Sequence, residues 1–136
     1  MTVKEYLLKY GAARREAKDT ELRLTRLRLK YMAPGAIQYS DMPKAHNTEH
    51  DLSDYAAQLD SLTDQLVRNY SRCIGIEADI LDRLTRMESQ EEREVLRYRY
   101  IDGMKWEEIA DRIPCNLRTV YKIHGRALMH FPKEGI

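Results

Sequence analysis

Residues 112–133 contain Arg112, Arg118, Lys122, Arg126 and Lys133 and no acidic side chain. On a helix, Arg118, Lys122 and Arg126 fall on one face with Leu117, Tyr121 and Gly125, because residues three and four apart are neighbours there. Three cations, one aromatic hydroxyl and no carboxylate do no bond-making chemistry, but they suit a polyanion. Such a helix fits the major groove of duplex DNA with its first turn nearest the base edges. Its dipole sets positive charge beside phosphate at the same end. The net charge of +1, from 23 basic and 22 acidic residues, conceals this because charge is segregated along the chain. Residues 1–31 hold nine basic and four acidic side chains, residues 32–64 one and six, and residues 88–111 four and eight. A near-neutral chain binds an anion when its cations share a face.

A recognition helix needs other elements to hold it. Asn116 is a natural N-cap for a helix running to about Phe131, with Val120, Ile123, Ala127, Leu128 and Phe131 turned to a core and Pro132 closing it,. Ile113-Pro114-Cys115-Asn116 reads as a tight turn. Before it, about Lys105–Arg112 forms a short helix with Trp106, Ile109, Ala110 and Ile113 buried. Ala110 is the small residue needed where two helices cross, and Ile109, Ile113, Val120 and Ile123 are the apolar anchors. This is a helix-turn-helix pattern; the competing reading is a three-helix bundle that binds protein only. Ser89-Gln90-Glu91-Glu92 has the form of a capping box and starts the preceding helix,. Val95, Leu96 and Tyr100 give that helix an apolar face, and Asp102-Gly103 ends it,. Tyr98 and Tyr100 are expected to pack with Trp106. His124, beside Ile123, suits core packing and a phosphate contact equally.

Upstream, Val3, Tyr6, Tyr10, Ala13, Ala17, Leu24, Leu27 and Tyr31 recur at helical steps and predict one helix from Val3 to about Tyr31,. A connector follows, broken at Ala33-Pro34-Gly35 and Asp41-Met42-Pro43,. Asp51 or Ser53 is the expected cap of a second helix from about Leu52 to Arg86, whose stripe is Leu52, Tyr55, Leu59, Leu62, Leu66, Cys73, Ile76, Ile80 and Leu84,. Neither stripe is buried by one helix alone, so the two pair as an antiparallel hairpin. The expected fold is therefore all-α: a coiled-coil-like arm over residues 1–86 and a three-helix helix-turn-helix domain over 87–136. The second helix is the longer, and its uncovered stripe offers a homodimer interface. Arg14, Arg15, Arg23, Arg26, Arg28 and Lys30 read as a solvated face, or as partners for the acidic start of the second helix.

Other classes are excluded by composition. The 136 residues are 43% hydrophobic with a mean hydropathy of −0.66, and no apolar run approaches the ~18 residues of a membrane span. Cys73 and Cys115 are too few for a secreted disulfide scaffold and read as small buried hydrophobes,. The start, Met-Thr-Val-Lys-Glu-Tyr, has no apolar leader stretch, so a cytoplasmic location is expected,. His46 and His50 lack a third ligand nearby and read as solvated,. There is no nucleophile elbow, phosphate loop or carboxylate cluster; no enzymatic activity, metal or cofactor is expected.

The run Arg93-Glu94-Val95-Leu96-Arg97-Tyr98-Arg99-Tyr100, then Gly103, Trp106-Glu107-Glu108-Ile109-Ala110, Arg118-Thr119-Val120 and Arg126-Ala127-Leu128 resembles region 4 of sigma-70-type factors. The longer run from Tyr100 to Ala110, and Val120-Tyr121-Lys122-Ile123-His124-Gly125-Arg126-Ala127-Leu128, is similar to the ArpU/RinA-like phage transcriptional regulators and their prophage relatives. The resemblance implies a module that reads promoter DNA and touches RNA polymerase. It places DNA contacts at Arg112, Asn116, Leu117, Arg118, Thr119, Tyr121, Lys122 and Arg126. Pro114 stands where the family commonly has Gly, and Leu117 where it commonly has a polar residue; leucine there suits a thymine methyl,. No segment resembles region 2, so a module is expected and not a whole sigma factor.

The expected function is sequence-specific binding of double-stranded DNA in transcription control, with RNA polymerase and a second copy as further partners. The alternatives are a small terminase-like DNA-packaging subunit and a polymerase-docking module with little DNA binding.

Overall fold

The computed structural model describes the backbone of residues 1–32 and 48–136, and the side chains of 1–32 and 51–136. The connector breaks at Ala33-Pro34-Gly35 and Asp41-Met42-Pro43, with His46 and the side chain of His50, lie outside the described residues. The described chain is helical: α1 (Val3–Met32), α2 (Thr48–Thr85), α3 (Gln90–Leu96), α4 (Trp106–Arg112) and α5 (Leu117–His130). A π-helical turn, Arg97–Ile101, continues α3.

α1 begins with a cap that the sequence reading passed over. Thr2 Oγ1 accepts from the Glu5 amide at 3.1 Å, and the Thr2 amide donates to Glu5 Oε2 at 2.8 Å. This is a complete capping box, and it holds the Glu5 carboxyl below its usual range through hydrogen bonds. α2 starts at Thr48, so Asp51 and Ser53 lie inside the helix and do not cap it.

α1 and α2 pair antiparallel, as expected. The chain divides into two compact units, Arg15–Ser71 and Met1–Arg14 with Arg72–Ile136. In the first, Ala17, Thr20, Leu24 and Leu27 are buried. The Tyr31 and Tyr55 rings lie 4.5 Å apart, Asn69 Nδ2 donates to Thr20 Oγ1 at 2.9 Å, and Tyr70 donates to Glu21 at 2.5 Å. Leu52, expected on the stripe, is 52% exposed. Leu59, Leu62 and Leu66 are half-buried, since a two-helix pair covers only one side of each.

In the second unit Leu7, Tyr10, Ala13, Cys73, Ile80, Leu84, Met87, Leu96, Tyr100, Ile101, Ala127 and Phe131 form one core. Leu7 was not on the expected stripe, yet it is fully buried, while Tyr6 is half-buried and leans on Phe131 at 6.2 Å. A smaller core joins Val95, Tyr98, Ile109, Val120 and Ile123, with Trp106, Ala110, Ile113 and Cys115 packed against it. The π turn lets α3 serve both cores. A regular α-helix would not bury Tyr98, Tyr100 and Ile101 together. The wider turn, closed by the Asp102 amide on the Arg97 carbonyl at 2.9 Å, sends Tyr98 to the small core and Tyr100 and Ile101 to the large one,. Gly103 follows at φ +69°, the left-handed conformation that glycine takes freely,.

Leu7→Ala should destabilise the protein by about 2–5 kcal/mol in denaturant titration, the range for a leucine with no room to collapse around it. A change under about 0.5 kcal/mol, the level of a surface substitution, would show that the start of α1 does not belong to this core.

Candidate nucleic-acid interface

α4, the turn 113–116 and α5 form the expected helix-turn-helix. The Ile113 amide donates to the Ile109 carbonyl at 2.8 Å and the Cys115 amide to the Ala110 carbonyl at 3.4 Å, which closes α4. Asn116 then caps α5: its Oδ1 accepts from the Thr119 amide at 2.8 Å and from the Thr119 hydroxyl at 2.9 Å,. α5 turns Val120, Ile123 and Ala127 inward. Arg118, Tyr121, Lys122, Gly125 and Arg126 are exposed on the opposite side.

The eight residues expected to meet DNA do not stand alike. Arg118, Tyr121 and Lys122 lie together on the open face of α5. Asn116 and Thr119 spend their side-chain oxygens on the cap, and Thr119 and Leu117 are half-buried. Arg112 is exposed at the end of α4, with its guanidinium 5.4 Å from the Tyr98 ring centre. Arg126 is exposed, but its Nε lies 3.8 Å from Glu92 Oε1. The face is thus acid-free along Arg118–Lys122 and meets an acid at Arg126.

Glu92 is the reason. Ser89 performs its half of the capping box, accepting from the Glu92 amide at 3.3 Å. The Glu92 carboxylate is buried, and it turns to α5, where His130 Nδ1 lies 3.0 Å from both oxygens. A carboxylate so enclosed stays charged only with such partners.

Trp106 is half-buried and meets Tyr121 at 5.3 Å and His124 at 4.7 Å, both edge-on. The Arg99 guanidinium covers its ring at 4.5 Å and donates to the Met104 carbonyl at 3.0 Å. Tyr98 shares the small core with Trp106 as expected, whereas Tyr100 goes to the large core and stacks on His124. The Trp106–Tyr121 contact fixes the outward tyrosine against a rigid wall. Tyr100 Oη and His124 Nε2 are 2.8 Å apart. Desolvation, with the nearby Lys4 and Arg99 charges, pushes the His124 pKa down to about 4. His124 is therefore neutral near pH 7 and belongs to the packing, which removes the phosphate-contact reading.

Arg83 carries no role in the sequence reading. It is buried, donates to the Pro132 carbonyl at 2.8 Å and the Glu134 carbonyl at 2.6 Å, pairs with Asp79 at 2.9 Å, and lies 5.2 Å over the Tyr6 ring. Its only sequence signal is the four-residue spacing from Asp79, which exposed helix faces share. Cys73 is buried and Cys115 half-buried, both as free thiols. Among the described residues no group of three His, Cys, Asp or Glu side chains is placed to hold a metal ion, and no helix is long and apolar enough to cross a membrane.

The family model Sigma-70, region 4 matches residues 79–131. The match spans the end of α2 and all of α3, α4 and α5, less than half of the chain. The chain thus carries a sigma-70 region 4-like helix-turn-helix domain. No curated protein and no solved structure gives a significant match. In this region 4-like domain, the geometry separates the open cations Arg118 and Lys122 from the engaged Arg126.

His124 gives the domain a pH dependence whose sign follows from linkage. Its folded pKa of about 4 lies below the ordinary value of 6.5, so the unfolded chain binds the extra proton between them. Stability from this group is fully present above about pH 6.5 and is lost as pH falls towards about 4. His124→Phe should flatten that part of the profile, read as the difference between the two proteins in denaturant titrations from pH 7 to 5. Superimposable slopes would refute a buried neutral imidazole.

Proposed function

We propose that this protein is a sequence-specific transcription regulator of the phage or prophage type, akin to the ArpU/RinA-like regulators, that binds double-stranded DNA through α5. The observation that carries this reading is the exposed, acid-free face of Arg118, Tyr121 and Lys122 on a capped helix whose other side is buried in the core. Residues 87–136 act as the DNA-binding domain and residues 1–86 as an oligomerisation arm, in the cytoplasm, with RNA polymerase as a further partner.

Roles follow from placement. Arg118, Tyr121 and Lys122 discriminate bases, since they sit on the open first turns of α5. Arg118 is suited to a guanine edge, and Tyr121, held by Trp106, presents its hydroxyl at fixed height. Leu117 suits a thymine methyl. Arg112 contributes phosphate contact, and Asn116 and Thr119 present the amino end of α5 to a phosphate. Arg126 reaches phosphate only by turning from Glu92, so it contributes less than its charge suggests.

Selection from a random duplex library at near-physiological salt should enrich a motif that the Arg118→Ala, Lys122→Ala double variant loses. Binding without a motif, falling steeply with salt, would replace regulation by packaging or polymerase docking as the function. On the selected site, Lys122→Ala should weaken binding by about 5- to 30-fold, as for a contact worth ~1–2 kcal/mol. Arg126→Ala should cost less than Lys122→Ala at the same salt; the reverse order would show that Glu92 releases Arg126 freely.

A further inference from the structure

α2 turns a second apolar line to solvent on the side away from its buried residues. Cys73, Ile80 and Leu84 face the core. Ile74, Ala78 and Thr85 are exposed and Leu81 half-buried, and their spacing alternates four and three residues, as along the seam of paired helices. Ile74 is 61% exposed. Beside it stands Gly75, in the middle of a helix of 38 residues. Glycine is the poorest helix former after proline, and nothing comes within 4 Å of where a Cβ on Gly75 would lie. No packing inside the chain calls for glycine there. A second helix laid close against this face would.

The charges name the occupant. Arg72 is exposed at one end of the face, and Asp79 and Asp82 stand at the other. Asp79 holds Arg83, while Asp82, 72% exposed, is 3.8 Å from Arg86 at the edge of a pair. A face that runs from basic to acidic complements itself when a second copy lies antiparallel, and opposes like charges when it lies parallel. At its acidic end the face meets a groove of about 310 Å³ floored by Leu81, Leu84 and Thr85 and flanked by Arg93 and Arg97, which extends the surface a partner covers.

We propose that the Arg72–Thr85 face of α2 is a homodimer interface, in which two copies pack antiparallel about a two-fold axis beside Ala78. Ile74 then faces the partner's Leu81, Ala78 faces the partner's Ala78, and Arg72 comes alongside the partner's Asp82. Two-fold pairing uses the same patch on both copies, as an isologous interface requires. The inference deepens the dimer reading above by naming its surface, and it stands apart from DNA binding.

The test is the mass of the full chain by sedimentation equilibrium at tens of micromolar. The wild type should be a dimer. Ile74→Lys and Gly75→Gln should each weaken association by about 30-fold or more, as for a residue at the centre of an interface. Glutamine favours helix over glycine, so loss of the dimer in Gly75→Gln with undiminished helical circular dichroism is not loss of fold. Arg72→Asp should also dissociate the dimer, and Arg72→Asp with Asp82→Arg should restore it. Under mild oxidation Ala78→Cys should crosslink to its own copy, and Asp111→Cys should not. A monomeric wild type, or a dimer untouched by both Ile74→Lys and Gly75→Gln, would overturn the proposal.

Discussion

Seven residues are too few to hold a helix in water, where isolated helices become marginal below ~12–15 residues. α3 and α4 have seven each, so they persist only as parts of a packed unit, and the burden falls on α5. Its first half gives Val120 and Ile123 to the small core, and its second half gives Ala127 and Phe131 to the large one. With both inner faces committed, α5 has one orientation left for Arg118, Tyr121 and Lys122. Recognition by this helix is a by-product of how completely its other side is used.

Two buried charges tie this unit together. Arg83 satisfies two backbone carbonyls and a carboxylate, anchoring the segment after α5 to α2. Glu92 ties α3 to α5 through His130 and Arg126. Groups of this kind cost little while every partner is present and much when one is removed. They act here as locks on arrangement more than as sources of stability.

The fold was largely legible because its signals are local. The N-caps at Ser89 and Asn116, the glycine at Gly103 and the helical periodicity each depend on neighbours in the chain. What was not legible depends on tertiary contacts. The π turn changes the phase of α3, and only two separate cores explain why Tyr98, Tyr100 and Ile101 are all buried. Leu7 is distinguished from Tyr6 by Phe131 and its neighbours, which lie far away in sequence. The recognition face was read correctly as a set of exposed residues, but the acid that meets Arg126 sits 34 positions earlier, on another helix. The cap of α2 was misplaced because Asp51 and Ser53 are good capping residues that the helix passes through.

The hydrogen bond from Asn69 to Thr20 lies on a pair of helices whose other contacts are mostly apolar or exposed. Apolar side chains are nearly indifferent to a slide of one heptad, which exchanges one leucine for another. An amide is not: moved by seven residues it would meet Ala13 or Leu27, neither of which can accept its proton,. The arm therefore behaves like a vernier with a single coincident mark, and its alignment is set by one polar rung and not by the length of its greasy seam.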